Sequence, residues 1–319
     1  MQNVFDRIIF WLKASRVHSL PMALMSWSVV FCFALEDGGN ILNGLLALVG
    51  VLFAQLGVNL GDDYVDYISE AGTIQARQKG KCEYILDGSV SINQVLGVVV
   101  FYFAAAFVIG LYLTFVCGWQ PAAIAFAAGV ICLLYPRLTY FGLGELAVGV
   151  TFAPLLFMGT YFVMCGEFSL VPVLVSVSTG LLTVVLLHVH TLMDYDFDIR
   201  ENKKTLCAIL GSKMKSFYAL VIMLILAYAN ILWLILFHLL PAKFLITFLT
   251  LPMGIGLVLL MKKFVEGDTS LLSKKWWMGP IEQWKDIEKK NAQNFMIRFY
   301  LARNLMGAFS FLVCVAILI

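Results

Sequence analysis

The chain is patterned as long unbroken apolar runs separated by short polar segments. Nine runs can be traced, at about 18–35, 41–61, 93–117, 119–136, 145–166, 170–192, 216–240, 242–264 and 295–319. A helix needs roughly 20 apolar residues to cross a bilayer core, and these runs are of that order. None alternates with a period of two, so membrane-spanning helices are predicted and a β-barrel is not. The fold class expected is an all-α polytopic membrane protein with nine transmembrane helices in one bundle. The segment before the first run, "MQNVFDRIIFWLKASR", scatters charges among its apolar residues. It reads as a short helix lying on the membrane surface rather than a cleavable signal. No Ser/Pro-rich linker divides the chain, so one integral-membrane domain is expected over residues 1–319.

Composition agrees with the pattern. The chain is 61% hydrophobic and only 13% charged, against about a quarter charged in soluble domains. A net charge of +2 gives no reason to expect a nucleic-acid partner. The distribution of the charge is more informative. Arg7, Lys13 and Arg16 precede the first span, Arg77, Lys79 and Lys81 follow the second, and Arg137 follows the fourth. Five bases follow the sixth span and seven follow the eighth, whereas the intervening loops hold only Lys243. The positive-inside rule then predicts a multi-pass cell-membrane protein with a cytoplasmic N-terminus and an external C-terminus. The seven cysteines include no CxxC pair and read as small apolar filler.

Two segments break the apolar pattern. The second run ends in "NLGDDYVDYISE" and the sixth in "HTLMDYDFDIRE". Residues spaced i, i+4, i+7 and i+11 share one helical face. Asn59, Asp63, Asp66 and Glu70 have that spacing, and so, within one position, do His190, Asp194, Asp198 and Glu201. Asp62 and Asp196 fall off these lines. The two copies lie four helices apart with the same orientation, as in a parallel duplication around a shared site.

Acids near membrane depth are costly and mark function. Two such stripes repel each other unless a counter-charge joins them. All-oxygen ligands with no Cys and at most one His suit Mg²⁺ or Ca²⁺ and argue against zinc. Mg²⁺ commonly binds through one or two carboxylates together with substrate phosphates. Bases follow both stripes, Arg77, Lys79 and Lys81 after the first and Lys203 and Lys204 after the second, placed to hold outer phosphate oxygens. Acids, metal and bases at the end of a greasy bundle describe a site for a diphosphate on a lipid tail. One acidic cluster at a helix end is also what a solvated cap looks like; two at equivalent positions, each followed by bases, are what favour a site. An EF-hand is excluded because Ile199 stands where its loop requires Gly.

These residues resemble the UbiA superfamily of intramembrane aromatic prenyltransferases. "DDYVDYISE" is similar to that family's NDxxDxxxD motif, with Asp62 in place of Asn and Glu70 in place of the final Asp. Asp194 and Asp198 match its DxxxD motif. "IRENKKTLCAILG" resembles the segment that follows, with Ile199 for Arg and Asn202 for Gly. "ILDGSVS" (85–91) and "YPRLTYFGLGELAVG" (135–149) resemble further family segments. Some members have a YxxxK pair in the latter; here Thr139 replaces the lysine and Arg137 is the substitute. "SRVHSLPMAL", Asn59 and "GLGEL" bring the chain nearest to the 1,4-dihydroxy-2-naphthoate prenyltransferases of menaquinone synthesis.

The resemblance implies a bundle around a central cavity and Mg²⁺-dependent transfer of an isoprenyl group from isoprenyl diphosphate to an aromatic acceptor. Asp63, Asp66, Asp194 and Asp198 would be catalytic, and Asp62, Asp63, Asp66, Glu70, Asp194 and Asp198 would hold metal. Asn59, Arg77, Lys81, Arg137, His190, Lys203 and Lys204 would contact substrate, with Asn59 and His190, one turn deeper, orienting the acceptor or ligands. Other acceptors (4-hydroxybenzoate, a tetrapyrrole, a glycerol phosphate) remain alternatives, as does a cation transporter. The transporter predicts ligands at mid-membrane and needs no bases beside its acids. Two further features stand outside the motifs. Segment 274–293, with three Trp among lysines, reads as an interfacial anchor or a lid. Arg298 is expected to snorkel, and Arg303, about two turns into the last span, to face the cavity or a partner acid.

Overall fold

The structure, a computed structural model, describes residues 4–68, 82–200 and 203–319. Among these residues it is all helical, and nine helices are long and apolar enough to cross a membrane. A first amphipathic helix, α1 (Val4–Ala14), precedes them. The chain then turns at Arg16, whose left-handed conformation (φ 55°, ψ 50°) interrupts the helix. Pro21 opens α2 (Pro21–Glu36), where a missing N–H costs nothing. Next come α3 (Ile41–Ile68), the single turn α4 (Glu83–Leu86), α5 (Ile92–Cys117) and α6 (Gln120–Thr139). Ser91 and Gln94 form a reciprocal capping box at the start of α5.

Helix α7 (Gly144–Cys165) contains one wide turn, Thr151–Leu155, at Pro154, which cannot supply an N–H to the helical ladder. The chain continues through α8 (Leu170–Met193), two short helices α9 (Tyr195–Arg200) and α10 (Leu206–Leu210), and α11 (Lys213–Leu236). Ser212 caps α11 by accepting from the Lys215 N–H at 3.1 Å. Helix α12 (Ala242–Val265) starts in a tight 3₁₀ segment. A short helix α13 (Trp284–Lys289) and the last span α14 (Gln293–Leu318) complete the chain.

The predicted runs coincide with these spans, with two shifts. Helix α3 continues past its last apolar turn to Ile68, carrying the first acids within it. Helix α11 starts at the capped Lys213 and ends at Leu236, several residues before Pro241.

Helix α8 is the spine, with 56% of its apolar window buried, while α6, at 6%, lies at the periphery. α8 approaches α7 closely at Gly180. A Cβ there would meet the Ala153 Cβ at 2.4 Å. Polar groups inside the bundle bond across helices, as a medium without water demands. Asn230 donates to the Leu174 carbonyl at 3.0 Å and to Ser178 at 2.9 Å, tying α11 to α8. Arg298 does not snorkel: it is buried between α12 and α14, where its guanidinium donates to the Leu260 and Asn294 carbonyls at 3.1 and 2.6 Å. Backbone acceptors inside the bundle replace the water that snorkelling would seek. Segment 274–293 docks on the bundle through buried Met278, Ile281 and Ile287, with Asn304 donating to the Met278 and Pro280 carbonyls, and leaves Trp276 exposed.

Candidate active site

A cavity of about 1730 Å³ runs through the bundle. Asp62 and Asp63 of α3, Asp194 and Asp198 of the α8–α9 region, and Lys203 line its polar end. Its walls are apolar, with Ala54, Phe103, Phe107 and Ile124 among them, and it reaches Thr114 and Pro121 near the other end of the bundle. The two acidic segments, more than 130 residues apart in sequence, thus face one space.

The first segment is held by partners from three other elements. Arg16, aimed by its left-handed turn, bonds Asp62 at 3.3 Å and also pairs with Asp63. The Tyr84 hydroxyl donates to Asp63 Oδ2 at 2.8 Å, and the Tyr140 hydroxyl to Asp66 Oδ1 at 3.1 Å. Asp63 and Asp66 are both buried. Burial alone would lower the Arg16 pKa, but the fields of Asp63 and then Asp62 outweigh it and raise it above its usual value. Burial, then the Asp63 charge, pushes the Tyr84 phenol upward, so it stays a donor. Asp62, off the helical line in sequence, faces the site after all, because Arg16 and the cavity both lie on its side of α3.

The second segment is not one stripe on one helix. Helix α8 ends at Met193, Asp194 occupies the junction, and α9 begins at Tyr195. The i,i+4 relation survives because the Asp194 N–H reaches the His190 carbonyl at 3.1 Å and the Asp198 N–H reaches the Asp194 carbonyl at 2.9 Å. His190 Nδ1 lies 3.6 Å from Asp194 Oδ2, and its ring stands edge-on to Phe295. Lys203 lies over the Tyr140 ring at 5.7 Å. Asp196, as its position predicts, is on the outside, paired with Lys213.

Other sequence-predicted residues fare differently. Asn59 lines the cavity, but its amide donates to the Ser15 carbonyl at 3.0 Å and Ser19 Oγ at 2.9 Å, fastening the turn that aims Arg16. Arg137 and Lys204 are exposed and do not line the cavity. Tyr135 and Thr139 take the cavity face of α6 instead, and Lys203 takes that role on its segment. Glu70, Arg77 and Lys81 lie outside the described residues. Arg303 both lines the cavity and bonds Glu282 at 3.1 Å.

Four residues near the acids carried no functional assignment in sequence: Arg16, Tyr84, Tyr140 and Glu145. Glu145 is buried at the start of α7 and lines the cavity. Thr191 donates to its Oε1 at 3.1 Å, and His188 Nδ1 lies 3.6 Å from the same atom. The α6–α7 turn that delivers it is tucked under the Lys203–Ile209 segment. At Gly142 (φ 71°) a Cβ would collide with Ile209 Cδ1 at 2.0 Å.

A carboxylate-rich mouth opening on a long apolar interior defines a class: a multi-pass membrane protein that handles a molecule with an anionic head and an apolar tail. Comparison with known proteins agrees. The model of the UbiA prenyltransferase family matches residues 21–279, most of the chain, and the protein belongs to that family of membrane prenyltransferases. The 1,4-dihydroxy-2-naphthoate octaprenyltransferase of Haemophilus influenzae is 26% identical over 220 residues, 65% of this chain and 71% of that protein. The enzyme of the same name from Mycobacterium tuberculosis is 31% identical over 175 residues, 52% and 58% of the two chains. Among solved structures, a digeranylgeranylglyceryl phosphate synthase superposes with a TM-score of 0.64 at 16% identity, covering 98% of this chain and all of that one. A UbiA homologue from Archaeoglobus fulgidus, bound to GPP and Mg²⁺, gives 0.58 at 14% identity, covering 96% and 99%. These structural likenesses establish the fold.

Proposed function

We propose that the protein transfers an isoprenyl group from isoprenyl diphosphate to 1,4-dihydroxy-2-naphthoate, in menaquinone biosynthesis, with Mg²⁺ as the metal. The observation that carries this reading is the convergence of both acidic segments on the polar end of one otherwise apolar cavity. The names of the relatives support the acceptor, and the Mg²⁺ and GPP bound by the Archaeoglobus homologue support the donor.

The donor set fits the metal. Asp62, Asp63, Asp194 and Asp198 offer only carboxylate oxygens toward the cavity, the chemistry that hard cations prefer. They would hold Mg²⁺ with Asp66 and Glu70 in support. When bound, Mg²⁺ neutralises charge on the diphosphate and makes it a better leaving group. The chain's own residues do the rest. Lys203 faces the mouth and would bind outer phosphate oxygens as a point charge. Arg16 offsets the mutual repulsion of Asp62 and Asp63 and would also contact outer phosphate oxygens. Phe103, Phe107 and other wall residues enclose the isoprenyl tail and exclude water from the developing allylic cation. His190 would orient the acceptor from the Asp194 side.

The chain acts as one domain, with its acidic end cytoplasmic where soluble diphosphate is found. Two experiments test the reading. Purified protein with Mg²⁺, isoprenyl diphosphate and a panel of aromatic acids should convert dihydroxynaphthoate with one CO₂ released per product, identified by mass. Prenylation of a different acceptor alone would replace the acceptor assignment; cation flux without any transfer would replace the reaction. Cysteines placed at Ser89 and Ser212 should react with impermeant label from the cytoplasmic side, and labelling only from outside would reverse the orientation.

A further inference from the structure

Glu145 is a buried carboxylate set apart from both acidic segments. It sits on α7, with one oxygen bonded by Thr191 and the side chain opening on the cavity. Behind it stands His188, fully buried on α8, whose Nε2 lies 2.9 Å from the Ser216 carbonyl. A carbonyl only accepts, so Nε2 carries a hydrogen and Nδ1 is the ring atom turned toward the carboxylate. That Nδ1 faces Glu145 Oε1 at 3.6 Å and Cys207 Sγ at 3.7 Å. A ring nitrogen beside a buried carboxylate lets the two groups share a proton between them. Thr191 and His188 lie three and six residues before Asp194, about 4.5–9 Å deeper along the helix. With a diphosphate held at the acids, as the transferase reading has it, that depth is where the reacting carbon and the acceptor ring would meet.

We infer that Glu145, backed by His188, is the base that takes the proton from the acceptor's ring hydroxyl. The inference rests on the transferase reading above and supplies its proton acceptor. The O–H proton passes to the Glu145–His188 pair, leaving an aryloxide. Its electron pair, delivered through a ring carbon, forms the bond to the allylic carbon as the C–O bond breaks and that pair leaves with diphosphate. Where the attacked carbon bears the carboxylate, CO₂ departs, and the electrons left in the ring system take the stored proton back. The pair ends as it began. The groups facing Glu145 are Thr191 and His188 of α8 and Cys207 of α10, with Tyr135 of α6 within the fields of both Glu145 and Asp62.

The test compares wild type with Glu145→Gln and Glu145→Asp, on whichever hydroxyaryl acid wild type prenylates. Loss of a general base costs about 10²–10⁴-fold, so Glu145→Gln should lower kcat by at least about 100-fold while KM for isoprenyl diphosphate moves less than about threefold. Glu145→Asp should recover part of the loss. Between pH 7 and 9 the Gln variant should regain rate by about tenfold per unit, as solvent ionises the acceptor, while wild type stays flat. A structural role would not give that slope. A Gln variant within about threefold of wild type in kcat, or one with a flat profile, overturns the proposal. So does stoichiometric zinc in the purified protein that disappears in Cys207→Ser, which would make the cluster a metal site. Failure on dihydroxynaphthoate with success on another hydroxyaryl acid overturns only the acceptor assignment. Failure on all of them overturns both.

Discussion

Asp62, Asp63 and Asp66 stand on one unbroken helix, whereas Asp194 and Asp198 straddle a helix junction. The sequences look like copies, yet the backbones differ. On α3, like charges a turn apart repel, and the protein answers with Arg16, Tyr84 and Tyr140, each from a different element. At the junction Asp194 lines the cavity from the end of α8, while Asp196, off the helical line, lies outside and pairs with Lys213. The first segment therefore lies along a continuous helix and the second across a junction between two helices. Equal chemistry at the site is reached by two constructions.

The comparison can be broken at several points. The largest effect should come from removing the metal: excess EDTA should abolish turnover, because without a cation the carboxylates of both segments repel the diphosphate. Persistent activity would mean that Arg16 and Lys203 suffice. Asp63→Asn and Asp194→Asn should each cost at least about 100-fold in kcat/KM, a loss typical of a strong electrostatic contact at a reacting centre. A large loss in only one would show that the segments are not equivalent partners.

Arg16→Gln should separate them by stability. Truncating one partner of a fully buried ion pair costs about 3–5 kcal/mol. With the Arg16 side chain 29% exposed, a smaller cost of about 1–3 kcal/mol is expected. It should appear as a lower Tm in EDTA, and Mg²⁺ should restore most of it. A Tm deficit unchanged by Mg²⁺ would deny that arginine and metal share the same carboxylates. Tyr84→Phe removes one hydrogen bond to a carboxylate and should cost about fivefold in activity, near 1 kcal/mol. Asp196→Asn should stay within about twofold of wild type in the same assay, since the Asp196 side chain is itself exposed, outside the cavity. A tenfold loss there would mean that Asp196 turns inward on binding.

Much of this arrangement is legible in the chain itself. The nine spans follow from hydropathy because a helix is the only open-ended structure that satisfies its own backbone in lipid. The acids of both segments follow from spacing because four residues make one helical turn. The family resemblance and the run of bases after the second segment point to Arg137 and Lys204, which lie outside the cavity. Their neighbours Thr139 and Lys203 face the cavity instead, and that choice depends on how each segment rotates against its neighbours. Asn59 lines the cavity, and its amide N–H groups also hold Ser15 and Ser19, a link that spacing does not reveal.

Short-range regularity in the chain carries apolar length, helical spacing and the clustering of carboxylates at span ends. What meets those carboxylates is settled by packing. Arg16 reaches Asp62 across 46 residues, Tyr140 reaches Asp66 across 74, and Glu145 meets Thr191 across another 46. No local period encodes such distances. They are set by which helices pack together, by the close approach of α7 and α8 at Gly180, and by the turn at Gly142 that brings Glu145 beneath the second acidic segment. In a medium that offers no water, a buried polar group must find its partner on another helix, and packing alone chooses which one.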